Sequence, residues 1–406
     1  MTWILLRLER LAAFETRKAI HVMLHQNSVF HGLTKYVPWG QFDRLVDKYG
    51  ADKLSRTLST KRQFLALLYG QFSGATSLRE IVTGMESHEM RLYHLGAAAV
   101  KRSTMSDANT DRPCQLFVEL FEQMLLQAHR GLRRAAGEAV RLIDSTGVRL
   151  SSLSKDWAEF STGVCGAKVH VVYDPNADRP LYFAVTRANV NDITAAKAMP
   201  IEAGATYVFD LGYYDYGWWA RLDAAGCRLV TRLKKNSPIT VVSENRVPDD
   251  SNILSDRIGH LSARLSKSRR NPMQVAVREL RVRIKTGKVL RIVTNDLDAP
   301  AEQIADLYKQ RWQIELFFRW IKQTLRIKRF IGVSENAVRI QIAIALIAFL
   351  ILRLAQAAQK TVHSPLAFAR LVRTNLMHRR PLTQLLSPEQ PPPINPNQLK
   401  LALCFK

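Results

Sequence analysis

Residues 140–187 read VRLIDSTGVRLSSLSKDWAEFSTGVCGAKVHVVYDPNADRPLYFAVTR. Three runs in them, VRLIDSTGVRLSS, AKVHVVYDP and RPLYFAVTR, are β-branched or alternate apolar with polar residues. Polar turns separate the runs, so three successive strands are expected. Asn191 to Ala203 follows as a helix, and ATYVFD (205–210) as an apolar strand ending on Asp210. GYYDYGWWARLDAAG (212–226) reads as a helix closed by Gly226, and CRLVTRLK (227–234) as another strand. Three strands, then alternating helix and strand, predict an α/β layer with a mixed sheet.

Downstream, residues 301–330 read AEQIADLYKQRWQIELFFRWIKQTLRIKRF, with no Pro or Gly and apolar residues at helical spacing. At about 100° per residue, Leu307, Ile314, Phe318, Ile321 and Leu325 share one stripe, the expected buried face. Tyr308, Arg311, Glu315 and Lys322 share a second stripe beside it, within roughly 60° of one another. A phenol, a guanidinium, a carboxylate and an ammonium therefore line the edge of a buried seam. A solvated face with ordinary i,i+4 ion pairs, Arg311–Glu315 and Glu315–Arg319, is the plain alternative.

The composition favours the first reading. The chain has 406 residues, enough for two or three domains, and an ordinary hydrophobic fraction of 47%. Its formal charge of +24 and pI near 10.2 are not ordinary. Such an excess of Lys and Arg points to a polyanion, with nucleic acid ahead of an anionic membrane. The four cysteines (Cys114, Cys165, Cys227, Cys404) form no C-x-x-C pair, which suits a reducing cytoplasm and leaves any metal to carboxylates. The N-terminus lacks the order of a signal peptide, and the apolar run Ile342 to Leu352 is short for a bilayer span, so it reads as a core helix.

Residues 26–130 are helix-rich, with basic and aromatic residues interleaved at Lys61-Arg62-Gln63-Phe64; a small domain that grips DNA backbone and any helical domain with a charged surface fit this equally well. Between Arg264 and Arg291 there are ten Lys/Arg and one acidic residue, Glu279. VAVRELRVRIKTGKVLRIVT (275–294) alternates apolar with basic residues there, which predicts a β-ribbon with one apolar and one positive face; so much charge of one sign favours a phosphate-tracking face over a merely solvated one. SPEQPPPINPNQ near the C-terminus is Pro-rich and reads as extended or disordered.

Asp144 and Asp210 each lie at the polar end of an apolar strand, where ligands and catalysis tend to sit in α/β sheets. If the two strands are neighbours with the 301–330 helix beside them, Glu315 completes a cluster of three carboxylates. Their mutual repulsion would be removed by a pair of Mg²⁺ ions, with Mn²⁺ as a substitute. Two such ions roughly 4 Å apart activate an attacking hydroxyl and stabilise a leaving oxygen. A local turn at Asp144 or a helix cap at Asp210 accounts equally well for either residue alone.

Taken together, these features resemble a DDE transposase of a bacterial insertion sequence, in the insertion-sequence-four group with its Y-R-E-K signature. Tyr308-x2-Arg311-x3-Glu315-x6-Lys322 matches that signature at every spacing. I-D-S-T (143–146) resembles the first-Asp segment. F-D-L-G-Y-Y-D (209–215) resembles the second, with Leu211 where many members carry a basic residue. HQNSVFHGLTKYVPWGQFDRLVDKYGADK and QFLALLYGQFSGATSLREI resemble the N-terminal domain common in the group.

The resemblance implies an RNase H-like catalytic core with a β-rich insertion between the second Asp and the Glu. It implies cut-and-paste movement of an element bounded by terminal inverted repeats, through a DNA hairpin, by a homodimer on double-stranded DNA at the bacterial nucleoid. Asp144, Asp210 and Glu315 would hold the two metals, and Tyr308, Arg311 and Lys322 would grip phosphates at the cleaved end. Arg232 is a further candidate phosphate contact. Trp312 is a candidate platform for a flipped base, with simple packing an equal account. The chain then divides into an extension (1–25), a helical DNA-binding domain (26–130), a first core part (131–235), a basic β-rich insertion (236–298), a last core part (299–360) and a tail (361–406). The alternatives are an inactive DNA-binding relic or repressor, a tyrosine recombinase using Tyr308, and a host nuclease on the same fold.

Overall fold

The computed structural model describes residues 27–53, 55–131, 139–247, 250–265, 269–325, 330–359 and 361–386. The organising feature is a ten-stranded sheet. Its strands are β1 (Val140–Arg149), β2 (Glu159–Ser161), β3 (Val164–Asp174), β4 (Arg179–Arg187), β5 (Thr206–Val208), β6 (Arg228–Arg232), β7 (Ile239–Asn245), β8 (Ile253–Leu261), β9 (Val277–Arg283) and β10 (Val289–Thr294). β3 pairs antiparallel with both β1 and β4. β5 runs parallel to β1, and β6 parallel to β5. The order β4-β3-β1-β5-β6, with three antiparallel strands followed by two parallel to the first, is the RNase H-like arrangement. The helix Tyr216–Ala224 makes the crossover that the parallel neighbours β5 and β6 require, and Asp192–Ala198 lies in the connection from the edge strand β4 to β5.

The basic segment does not build a sheet of its own. β10 pairs antiparallel with β6, and β9, β8 and β7 follow outward, so the sheet simply continues. This changes the expected pattern of the 275–294 ribbon. Val277 to Leu280 are all buried, including Arg278 and Glu279; β9 lies between β8 and β10, and the helix Ala301–Gln310 packs on it. Arg278 is spent on Asp256, and Arg291 on Glu279. A continuous positive face is therefore absent over this half of the ribbon.

Each sheet face is covered by apolar residues from named helices. On one, Ile143, Val172, Tyr207, Leu229 and Val293 pack with Trp218, Trp219 and Leu222 of the Tyr216–Ala224 helix. Gly226, at φ 69°, ends the turn that leads from that helix into β6. On the other, Phe317, Phe318 and Ile321 lie against Val148, Val169 and Val171.

The predicted 301–330 helix is two helices, Ala301–Gln310 and Trp312–Thr324. They are divided at Arg311, where the Arg311 and Ile314 N–H groups donate to carbonyls three residues back (3.1 and 3.2 Å) rather than four. The expected stripe is buried throughout: Leu307, Ile314, Phe318, Ile321 and Leu325. Residues 326–329 of the expected helix lie outside the described residues, as do the 1–25 extension and the Pro-rich tail.

Two compact units are distinguished. Val37–Ile351 holds the sheet and the helices Trp39–Lys48, Thr60–Ser73, Leu78–Glu86, Arg102–Asp111 and Cys114–Gly131. In the other, the described segments 27–36 and 361–386 are joined by Val29 N–H to His378 O (3.0 Å) and Phe30 N–H to Leu376 O (2.8 Å). The apolar run 342–352 sits inside a 23-residue helix, Glu335–Ala357, longer than its sequence suggests. By length and composition it is able to cross a membrane, but 83% of its most apolar stretch is buried within the protein.

Candidate active site

Asp144 lies in the middle of β1, not at its end. Pairing with β5 stops at Leu142, while pairing with β3 carries the strand on to Arg149. Asp144 is thus the second residue past the point where β1 loses its parallel neighbour, so it stands beside an opening in the sheet. Its Oδ1 accepts the Ser145 N–H at 2.8 Å, the local bond that a turn reading would expect. Asp210 lies two residues past β5 and caps the short turn Leu211–Tyr213, accepting from Gly212 N–H at 2.8 Å. The helix after it is capped instead by Asp215, whose carboxylate accepts the Trp218 N–H.

Glu315 stands in the first turn of Trp312–Thr324, which packs on β1. It faces Asp144 across Arg311. The guanidinium reaches Glu315 Oε1 through Nη2 (2.6 Å) and Asp144 Oδ2 through Nη1 (3.6 Å). Asp144, Ser145, Thr146, Glu315, Arg319 and Lys322 line an open cavity of about 320 Å³. Tyr308 is buried, with Arg311 5.9 Å from its ring centre. Burial raises its hydroxyl pKa, against the pull of Arg311 and Arg232. Arg232, at the end of β6, therefore belongs to the same neighbourhood. Trp312 is half-exposed at 51%, with the Arg319 guanidinium 5.9 Å over its ring, so packing in the core does not account for it.

Burial, ahead of the neighbouring charges, sets the electrostatics of the site. Burial pushes Asp144 up to about 6; the charges of Asp210 and Glu315 add to this, and the Ser145 N–H and Arg311 oppose it. Burial pulls Arg311 down, but Tyr308, Glu315 and Asp144 around it leave it raised overall. Among the described residues, no three acidic, His or Cys side chains converge on one ion-sized point. The bridging guanidinium stands between two of the carboxylates. Their chemistry nonetheless fits a hard cation: oxygen donors only, with one carboxylate destabilised by burial and, less, by its acidic neighbours.

A fourth carboxylate was not singled out from the sequence. Asp192, the first residue of Asp192–Ala198, accepts from Ser145 Oγ (2.8 Å) and from Lys168 Nζ (3.1 Å). In the sequence it looks like an ordinary acid in the first turn of a helix, and only strand pairing brings it to Ser145.

An RNase H-like sheet with acidic side chains gathered beside basic ones at its opening defines the class. Comparison with known proteins places the chain within it. The family profile described as Transposase DDE domain matches residues 135–351, and that of a domain of unknown function (DUF4372) matches residues 25–98. A Sinorhizobium fredii protein named as a transposase is 40% identical over 297 residues, covering 72% of this chain and 81% of that one. A Geobacillus stearothermophilus protein, named as a transposase for insertion sequence element IS5377, is 30% identical over 285 residues, or 69% and 74% of the two chains. Among solved structures, a piggyBac transposase synaptic complex with hairpin DNA aligns at a TM-score of 0.46 and 11% identity, over 93% of this chain and 85% of that one. The chain belongs to the DDE transposase family.

Proposed function

We propose that this chain is the transposase of a bacterial insertion sequence. It binds the terminal inverted repeats as a homodimer, cuts the DNA at the element's ends and joins them to target DNA. The observation that carries the reading is the Arg311 guanidinium bridging Asp144 and Glu315, with Asp210 and Tyr308 beside it, in a chain of charge +24. Acidic and basic groups from three distant stretches of sequence, at 144, 210 and 308–315, lie within electrostatic reach of one another, on a protein whose charge suits a polyphosphate.

In this reading Asp144, Asp210 and Glu315 hold two divalent cations, Mg²⁺ or Mn²⁺. When bound, these neutralise the attacking and leaving oxygens of an in-line displacement at phosphorus. Arg311, which now bridges Asp144 and Glu315, would be free to present its planar fork to a phosphate of the bound end once those carboxylates held a cation instead. Lys322 and Arg232 hold flanking phosphates, and the Tyr308 hydroxyl donates to a phosphate oxygen. Water first opens the phosphodiester to free a 3′-hydroxyl. That hydroxyl attacks the opposite strand to close a hairpin, and after the hairpin is reopened it attacks the target. Trp312 with Arg319 offers a stacking surface for a base drawn out of the duplex.

The test uses purified protein, Mg²⁺ and an end-labelled duplex carrying the terminal repeat that flanks the gene. Nicking followed by a hairpin, then joining to a target plasmid, is the expected result. Specific binding without cleavage would leave a relic or repressor, and cutting without joining would leave a nuclease.

The raised Asp144 pKa sets a pH dependence. Below about 6 the carboxyl carries a proton that a cation must displace. The Mn²⁺ concentration at half-saturation is expected to be flat above pH 7 and to rise about tenfold per pH unit below 6, read from the free-Mn²⁺ electron spin resonance signal. For folding without metal, the raised value means that Asp144 stabilises most below pH 3.8. That contribution is lost as the pH climbs through about 6.

A further inference from the structure

The helix that begins at Asp192 does not use that residue as its cap, and Asn191 before it makes no side-chain cap bond either. The Asp192 carboxylate is turned instead toward the sheet. Oδ1 accepts from Ser145 Oγ at 2.8 Å, next to Asp144, and from Lys168 Nζ at 3.1 Å. It lies 3.7 Å from Nδ1 of His170, a fully buried ring whose Nδ1 has no hydrogen-bond partner. Oδ2 faces the turn that holds Asp210. A Cβ on Gly212 would lie 3.1 Å from Asp192 Oδ2 and 3.0 Å from Asp210 Oδ1, so both carboxylates crowd the same glycine. The Tyr213 hydroxyl, 1% exposed and without a well-formed hydrogen bond, lies among the charges of Asp144, Asp192 and Asp210.

Asp192 therefore touches both places on which the proposed cation ligands stand, the strand at Ser145 and the turn at Gly212. Lys168, held also by the Val190 carbonyl (3.0 Å), offsets its charge. The geometry points to Asp192 as a positioning residue for strand cleavage, which fixes the separation of Asp144 and Asp210 and so sets the affinity of the site for a divalent cation. The inference rests on those two residues being cation ligands. Partners of metal ligands commonly cost 10–100-fold in affinity when removed.

The test is Mn²⁺ titration of the full chain by electron spin resonance, with end-duplex cleavage measured across Mn²⁺ concentration. Asp192→Asn keeps an acceptor for Ser145 and loses the ion pair with Lys168. Ser145→Ala keeps the charge and loses the tie to the strand. Both are expected to fold like wild type by circular dichroism and to bind end DNA normally. The Mn²⁺ midpoint should rise about tenfold in Asp192→Asn and severalfold in Ser145→Ala, with cleavage recovering to within about threefold of wild type at saturating Mn²⁺. An unchanged midpoint in both variants would overturn the assignment, as would cleavage lost at every Mn²⁺ concentration despite normal Mn²⁺ binding. The binding signal is independent of DNA chemistry. A wild type that binds Mn²⁺ but never cleaves would sink the transposase reading and leave the Asp192 shift measurable. A wild type that binds no Mn²⁺ would sink both.

Discussion

Glu315→Gln is expected to lower the rate of end cleavage by about 10²–10³-fold or more while leaving the fold and the binding of end DNA intact. The substitution is near-isosteric. The amide oxygen still accepts from Arg311 Nη2, the 2.6 Å contact that orients the side chain. Glu315 is part-exposed and faces an open cavity, and the largely buried Arg311 keeps Asp144 Oδ2 at 3.6 Å as a counter-charge. What is lost is one negative charge from the set that would hold the cations. Charge stabilisation by a bound cation is worth several kcal/mol in the transition state, and about 1.4 kcal/mol corresponds to a factor of ten in rate. Losing roughly 3–4 kcal/mol of it gives the stated range. DNA affinity should hold or rise slightly, because the site becomes more positive. The measurement is single-turnover cleavage of the end-labelled duplex, with gel-shift affinity as the control. A variant that cuts within tenfold of wild type would remove Glu315 from the reacting centre.

The parts of this architecture legible in the sequence are those set by burial along one element. The runs at 140–149, 168–174 and 179–187 alternate or are continuously apolar because they lie in a sheet covered on its faces, and they form β1, β3 and β4. The stripe from Leu307 to Leu325 is buried as its spacing requires. Less legible was whatever depends on neighbours across the sheet. Asp144 looks like a strand end because its sequence turns polar, yet β3 keeps the strand paired for five more residues. The break at Arg311 has no Pro or Gly to announce it; it accompanies a side chain that reaches two carboxylates at once. Asp192 reads as a first-turn acid because its partners, Ser145 and Lys168, are 47 and 24 residues away. Periodicity shows which face of a strand is buried and is silent on what that face meets.

The same limit explains Arg278, which reads as one more cation in a basic ribbon and is in fact the centre of a buried pair. Asp256→Ala is expected to destabilise the protein by about 3–5 kcal/mol, seen as a lower urea midpoint. Arg278 Nε and Nη2 donate to Asp256 Oδ1 and Oδ2 at 2.8 and 2.7 Å, a two-pronged contact with side chains only 5% and 3% exposed. Removing the carboxylate leaves a guanidinium in the interior without its counter-charge. The remaining acceptors, the carbonyls of Leu297 and Ala299, are neutral. Replacing both members by Leu should be far milder, neutral or stabilising by 1–4 kcal/mol, because no uncompensated charge remains. The paired result separates the cost of breaking an ion pair from the worth of having one. A double variant as unstable as Asp256→Ala would mean that the arginine's bonds to Leu297 and Ala299 matter more than its charge. Those carbonyls lie on the segment that leads into Ala301–Gln310, the helix carrying Tyr308. Asp256→Ala should therefore also slow cleavage under conditions where the protein is still folded, by loosening the approach of Tyr308 and Arg311 to the sheet, and the Leu pair would share that defect even where its stability is restored.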